Sequence, residues 1–327
     1  MNHSRTIFSM ERKPMTKIKT AVIGTGHLGG FHARVLSVLK NCEFVCVVDV
    51  DEDRGREIAA KYNVPYVQDF RGIAGEVDAV TIATPTVYHF AVARFFIENG
   101  IHVMVEKPIT SNVDEAEQLV EMAKQRNVKL QVGQIERFNR AFIALKANVN
   151  TPWMIRTNRY SPFTGRSTDI DVVLDLMIHD MDLVFALDDS PVKRITVKGT
   201  KVVTDKTDIA FAMVELESGC IAELNVSRVA SERERSLRVF DGDNNTYYSA
   251  DLNNRKLKKM FFRDKKIVNH PVHVEDRDQL EAEIGSFLDS IISDRPVEVS
   301  GEDGLKALLY TKIVSDMAVS RKCFTEF

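Results

Sequence analysis

The chain has 327 residues, enough for two domains of ordinary size around separate cores. Lys and Arg number 44 against 47 Asp and Glu, and the resulting net charge of −3 argues against a protein that coats nucleic acid or an anionic membrane. Hydrophobic residues at 44% and charged residues at 28% exclude disordered and fibrous classes, and no run approaches the roughly 18 apolar residues of a membrane span.

Residues 1–16 carry Arg5, Arg12 and Lys13 but neither the apolar core nor the small-residue cleavage site of a secretory signal. They read as a flexible tail, with Met15 as an alternative start. Cys42, Cys46, Cys220 and Cys323 form no CxxC pair, so no disulfide scaffold is expected and the cytoplasm is the default setting. From residue 18 the pattern alternates. Strands are expected at 18–23, 44–50, 77–83, 101–105 and 129–132, with helices after the first strand and at 89–98 and 113–125. Apolar strands separated by crossover-length helices belong to a parallel sheet covered on both faces, a doubly wound α/β domain.

Gly24-Thr25-Gly26-His27-Leu28-Gly29 falls between the first strand and the first helix. Three glycines in a turn arise cheaply, but this context is what a pyrophosphate requires: a tight turn, open backbone and a helix N-terminus. Asp49, twenty residues after Gly29 at the end of the second strand, is placed to accept hydrogen bonds from a ribose diol, which favours NAD over NADP. Arg54 is near enough to keep NADP open. Two further strand ends carry polar punctuation, Thr84-Pro85-Thr86 with Tyr88 and His89, and Glu106-Lys107-Pro108. Lys107 there could hydrogen-bond a substrate hydroxyl, or be a solvated charge paired with Glu106. His32 and His89 read as structural histidines.

The most informative segment of the second half is 171–187, apolar nearly all round. At about 100° per residue, Asp171, Asp175, His179 and Asp182 fall near 0°, 40°, 80° and 20°, one narrow stripe of a buried helix. Three readings stay open: acid/base machinery with Asp175 orienting His179, a metal site, or an interface network. Strands are expected at 153–160, 194–203, 208–217, 221–229, 237–241 and 247–251 in a mainly antiparallel open sheet, one face of which a second subunit would cover. Helices close the chain at 277–293 and 304–320. The basic stretch 255–266 reads as a solvated hairpin rather than a nucleic-acid patch, and His270-Pro271-Val272-His273 as a loop rather than half a metal site.

GTGHLG with Asp49, then ATPTVYH, VEKP and DxxxHxxD in that order, resembles the Gfo/Idh/MocA oxidoreductase family from about Lys17 onward. The resemblance implies an N-terminal Rossmann domain, a C-terminal α+β domain with a large open sheet, and hydride exchange between NAD(P) and a sugar or polyol carbon. It implies Lys107, Asp175 and His179 as catalytic residues, no metal, and a dinucleotide held by Gly24, Thr25, Gly26, His27, Leu28, Gly29, Asp49, Thr84, Pro85, His89, Glu106, Lys107 and Gln134. VGQIERFN with DVVLDLMIHDMDL is most similar to the UDP-N-acetylglucosamine 3-dehydrogenase branch, whose 3-keto product feeds an aminotransferase on the way to amide-linked lipid A. That similarity implies a nucleotide-sugar substrate bound by Lys107, Asp175 and His179, with Arg137, Arg159 and Arg166 as candidates for its diphosphate, salt bridges being their alternative. Inositol or uronate dehydrogenases of the same fold, and a non-catalytic NAD-binding regulator, are the competing functions. The expected organisation is a tail at 1–16, an NAD-binding domain at 17–136, and a substrate and oligomerisation domain at 137–327. The last helices would pack back on the first domain, and homodimers or homotetramers would form through the second sheet.

Overall fold

The computed structural model describes residues 17–165, 170–243, 245–320 and 324–327, so the tail, Arg166 and Cys323 lie outside the described residues. Strands β1 (Ile18–Ile23), β2 (Cys42–Val48), β3 (Tyr66–Val67), β4 (Ala79–Ile82), β5 (His102–Glu106) and β6 (Leu130–Gly133) form one parallel sheet in the order β3-β2-β1-β4-β5-β6. This is the order of a dinucleotide-binding fold, with its switch point beside β1 and β4. Helices α1 (His27–Leu36) and α2 (Glu52–Tyr62) cover one face, and α3 (His89–Glu98) and α4 (Val113–Arg126) the other. β3 and α2 were not expected from the pattern. α2 is polar almost throughout, and its signal is local instead. Asp51 caps it by accepting from the Arg54 amide, and Asn63 ends it in the left-handed region.

After β6 come a 3₁₀ turn at Ile135–Phe138, helix α5 (Arg140–Lys146) and strand β7 (Pro152–Tyr160). The expected helix at 171–187 is in two parts. Val173–Met177 is a π-helical turn, and α6 (Ile178–Leu187) follows it. Strands β8 (Val192–Thr200), β9 (Ile209–Leu216), β10 (Ile221–Ser227), β11 (Glu234–Asp241), β12 (Thr246–Asp251), β13 (Lys256–Arg263), β14 (Lys266–Val272) and β15 (Phe324–Glu326) join β7 in a sheet ordered β14-β13-β12-β11-β7-β10-β9-β8-β15. Its pairs are antiparallel apart from β7 with β10. The basic stretch is the exposed β13–β14 hairpin. His270 to Val272 belong to β14, which corrects the loop expected there: Pro271 is tolerated because β14 is an edge strand.

Helix α7 (Gln279–Ile292) packs back on the first domain, where Ile284, Phe287 and Leu288 join Val22, Ala33 and Leu36 in one core. Helix α8 (Gly301–Ser320) packs against β6 and α4 at one end and α6 and β8 at the other, so it straddles the two sheets. A Cβ on Gly304 would lie 2.4 Å from Val132, so that approach requires glycine. The helix-free face of the second sheet leaves Ile209 and Ile221 exposed. Among the described residues no helix is long and apolar enough to cross a membrane.

Candidate active site

The glycine loop is shaped by close approach. Gly24 has φ +90°, and a Cβ there would stand 2.9 Å from the backbone of Ala83 and Thr84. A Cβ on Gly29 would lie 1.8 Å from the Gly24 carbonyl oxygen, so the helix can start this close to β1 only with glycine. Above Gly26 there is open space, and no side chain caps the first amides of α1. His27 and Leu28 are exposed, so their backbone rather than their side chains faces a ligand.

Asp49, the expected ribose acceptor, also anchors the glycine loop from the end of β2. Its Oδ2 accepts from the Thr25 amide and hydroxyl at 2.7 Å each, and its Oδ1 from the Asp51 amide and Arg54 Nη2 at 2.9 Å. Burial pushes this carboxyl up, but the donors from Arg54, Asp51 and Thr25 outweigh it and hold it at about 2. Thr25 therefore spends its side chain inside the protein, and the half-exposed Arg54 guanidinium covers Asp49 on the solvent side.

The ends of β4 and β5 are tied together by His89, whose Nδ1 and Nε2 lie 2.9 Å from the carbonyl oxygens of Pro108 and Thr84. Burial lowers this imidazole from its usual range, so its single N–H serves one of the two carbonyls, and His89 sits packed between the two strand ends at the expected cofactor edge. Glu106 holds His32 Nε2 at 2.9 Å, and its carboxylate fits against β6 because residue 133 is glycine. Pro85 is exposed beside these ends. Thr84 Oγ1 and both polar atoms of the Gln134 amide are buried with no protein partner. Buried polar atoms of this kind call for a polar ligand or water. Uncapped helix amides, an open glycine and orphaned donors and acceptors along the carboxyl edge fit NAD.

Lys107, at the end of the same edge, crosses to the second domain. Its Nζ donates to the Asp175 carbonyl oxygen at 2.9 Å and lies 3.6 Å from Asp175 Oδ1. Burial lowers this ammonium from its usual range, while Asp175 and Glu106 pull the other way. His179 is half-buried in the same cleft. Burial, then the charges of Lys107, Arg159 and Arg235, hold the imidazole well below the usual histidine range, so it is neutral at pH 7. Its Nδ1 is buried without a partner, so Asp175 serves Lys107 and does not orient the imidazole as expected.

The π turn explains why the expected stripe divides. It breaks the 3.6-residue period between Asp175 and α6, so the four polar residues meet different partners. Asp171 caps the turn by accepting from the amides of Val173 and Leu174 and from the Ser315 hydroxyl. Asp182 takes Arg137 in a two-pronged pair at 2.6 and 2.9 Å. Asp180, on the opposite side of the helix, takes Arg159 at 2.8 and 3.0 Å, and Arg159 also reaches Glu136 at 2.9 Å. Arg137 and Arg159 thus sit in buried salt bridges that fix α6 against the segment after β6 and against β7, which corrects their expected place at a diphosphate. Among the described residues no three His, Cys, Asp or Glu gather as a metal site.

Several site residues were missed. Asp180 and Glu136 neutralise Arg159, and Arg235 on β11 lies beside it in register on the same face of the sheet. Glu283 on α7 is fully buried with neither carboxyl oxygen partnered. An acid amid Leu280, Ile284 and Phe287 on an apolar stripe was the signal for it.

Comparison with known proteins agrees with the fold. Residues 18–134 match a family model described as an oxidoreductase family with an NAD-binding Rossmann fold, and residues 141–246 match the GFO/IDH/MocA C-terminal domain. UDP-N-acetylglucosamine 3-dehydrogenase of Acidithiobacillus ferrooxidans is 37% identical over 302 residues, covering 90% of this chain and 95% of the relative. A solved structure of that enzyme superimposes with a TM-score of 0.88, covering 94% of this chain and 99% of the other. Myo-inositol 2-dehydrogenase of Thermotoga maritima is 26% identical over 89% of this chain and 93% of its own. Levoglucosan dehydrogenase in complex with NADH and levoglucosan shares the fold at 15% identity, with a TM-score of 0.86 over 95% of this chain and 99% of its own. With both halves matched, and with a Rossmann edge meeting a buried helix across one cleft, the chain belongs to the Gfo/Idh/MocA family of NAD-binding oxidoreductases.

Proposed function

We propose that this protein oxidises the 3-hydroxyl of UDP-N-acetylglucosamine to the 3-keto sugar with NAD. The observation that carries the reading is Lys107 Nζ standing 2.9 Å from the Asp175 carbonyl, one turn before the neutral His179. The similarity to the A. ferrooxidans enzyme over nearly the whole chain supports the substrate. NAD, when bound on the β1–β4 edge, supplies the hydride acceptor. The rest is done by side chains. His179 takes the proton of the sugar hydroxyl as the carbon gives up its hydride. Lys107 donates to the oxygen as negative charge develops on it, and Asp175 holds the ammonium in place. The loops carrying Glu106 and Thr84, braced by His89, keep the dinucleotide edge rigid.

The proposed setting is the cytoplasm, where Cys42, Cys46 and Cys220 stay reduced, as a homodimer or homotetramer through the helix-free face of the second sheet. The product, a ketone at C3, is what an amine-transferring enzyme would consume. NADH formation with a panel of UDP-sugars and free polyols tests the reading. Turnover of UDP-N-acetylglucosamine supports it, and turnover of inositols alone, or of nothing, replaces it.

A further inference from the structure

We infer that Arg235 is the guanidinium that grips the phosphate-bearing part of the substrate; the inference rests on the nucleotide-sugar reading above and names the residue that meets its diphosphate. Of the arginines around α6, Arg137 and Arg159 are already spent on carboxylates. Side chains of Arg137 and Arg159 are 5% and 3% exposed and lie against Asp182, Asp180 and Glu136. Arg235 is 41% exposed. It is paired in register with Arg159 across β11 and β7, so both side chains leave the sheet on the face that α6 covers. Its ion pair to Glu136 Oε1 is long, at 3.5 Å, and that oxygen already holds Arg159 at 2.9 Å, while Asn139 takes Oε2 at 3.0 Å.

Arg159 pairs with Asp180, the chain neighbour of His179, so the register that sets Arg235 beside Arg159 also sets it near the His179 end of α6. Of the two arginines on β11, Arg238 projects from the opposite, helix-free face with Ser249 and Lys258, so Arg235 is the one left on the cleft side. Arg235 therefore stands half-exposed on the side of the sheet that α6 covers, beside an arginine whose charge is already spent. Burial and the neighbouring Arg159 both act against its charge, which an arriving phosphate would relieve. A planar fork of donors suits phosphate oxygens, whereas an inositol ring offers it no anion.

Binding of UDP and of NAD to the wild type, Arg235→Gln and Arg235→Lys tests the inference, with KM and kcat for UDP-N-acetylglucosamine measured beside it. The expected result is UDP binding weakened roughly 10- to 100-fold in Arg235→Gln, less in Arg235→Lys, with NAD binding unchanged and the loss in turnover falling mainly on KM. If Arg235→Gln does not fold, intermediate weakening in Arg235→Lys carries the same weight. UDP binding that neither variant changes overturns the inference, as does a wild type that binds no UDP. The two claims separate cleanly. UDP binding that depends on Arg235 without turnover of the sugar supports the grip and removes the substrate. Turnover of the sugar with an unaltered KM in Arg235→Gln removes the grip and leaves the substrate.

Discussion

Asp49 and Glu283 are both buried carboxyls beside the dinucleotide-binding layer, and the protein gives them opposite chemistry. Asp49 is surrounded by donors and stays ionised down to about pH 2. Glu283 has no donor on either oxygen, and burial, then the charges of Glu106 and Asp182, push it well above the usual carboxylate range. Burial acts the same way on both; hydrogen-bond donors decide the sign. The cleft applies the same rule to a base. His179 is half-buried, has an unpartnered Nδ1 and has cations for neighbours, so it stays neutral and ready to accept a proton. In the proposed reaction, phosphate binding at the glycine loop would be backbone work, while the proton chemistry would fall to side chains with unpartnered polar atoms.

The largest effects should come from the cleft. Lys107→Met and His179→Ala should each lower turnover by roughly 10² or more with NAD still bound, measured by steady-state kinetics and cofactor titration. Near-normal turnover in both would show that the charge arrangement has no catalytic use. Because the His179 imidazole is depressed, the acid limb of kcat/KM should lie below pH 6.5, and removing the Arg235 charge should move it to higher pH. A limb that stays put in Arg235→Gln would separate the two groups.

The buried acids come next, and they should respond to pH in opposite directions. Asp49 has a folded pKa below its unfolded value, so its contribution is present above about pH 4 and is lost as pH falls toward about 2. Asp49→Asn should cost about 1–2 kcal/mol at neutral pH, discounted because Arg54 is half-exposed, and should weaken NAD binding. Glu283 has a folded pKa above its unfolded value. Stability is therefore lost as pH rises past about 4.3, and Glu283→Gln should melt a few degrees higher at pH 8 with little gain at pH 4. Equal pH responses in wild type and Glu283→Gln would mean that Glu283 finds a partner. The smallest effect is expected from Arg54→Gln, at most about 1 kcal/mol in unfolding and a few-fold in NAD affinity.

How much of this could be read from sequence depended on whether a feature repeats locally. The strand–glycine–helix start at 18–29, the polar strand ends at 84–89 and 106–108, and most of the second sheet follow from periodicity and turn chemistry, and all are present. The π turn leaves no mark on an apolar run, and it redirected Asp182 to Arg137 and Asp175 to Lys107. Arg137 and Arg159 could be seen as cations, but their partners lie 45 and 21 residues away, so only the fold tells a salt bridge from a phosphate site. Arg235 needed the register of β11 against β7 before it could be separated from them.

The central claim is that Lys107 and His179 act on one carbon from opposite domains. A crystal structure with NAD and UDP-N-acetylglucosamine bound tests it most directly. The account predicts C3 of the sugar facing the nicotinamide, its hydroxyl within hydrogen-bond reach of both Lys107 Nζ and the His179 ring, and the diphosphate at Arg235. A sugar seated away from both nitrogens, or another ring carbon at the nicotinamide, would contradict it.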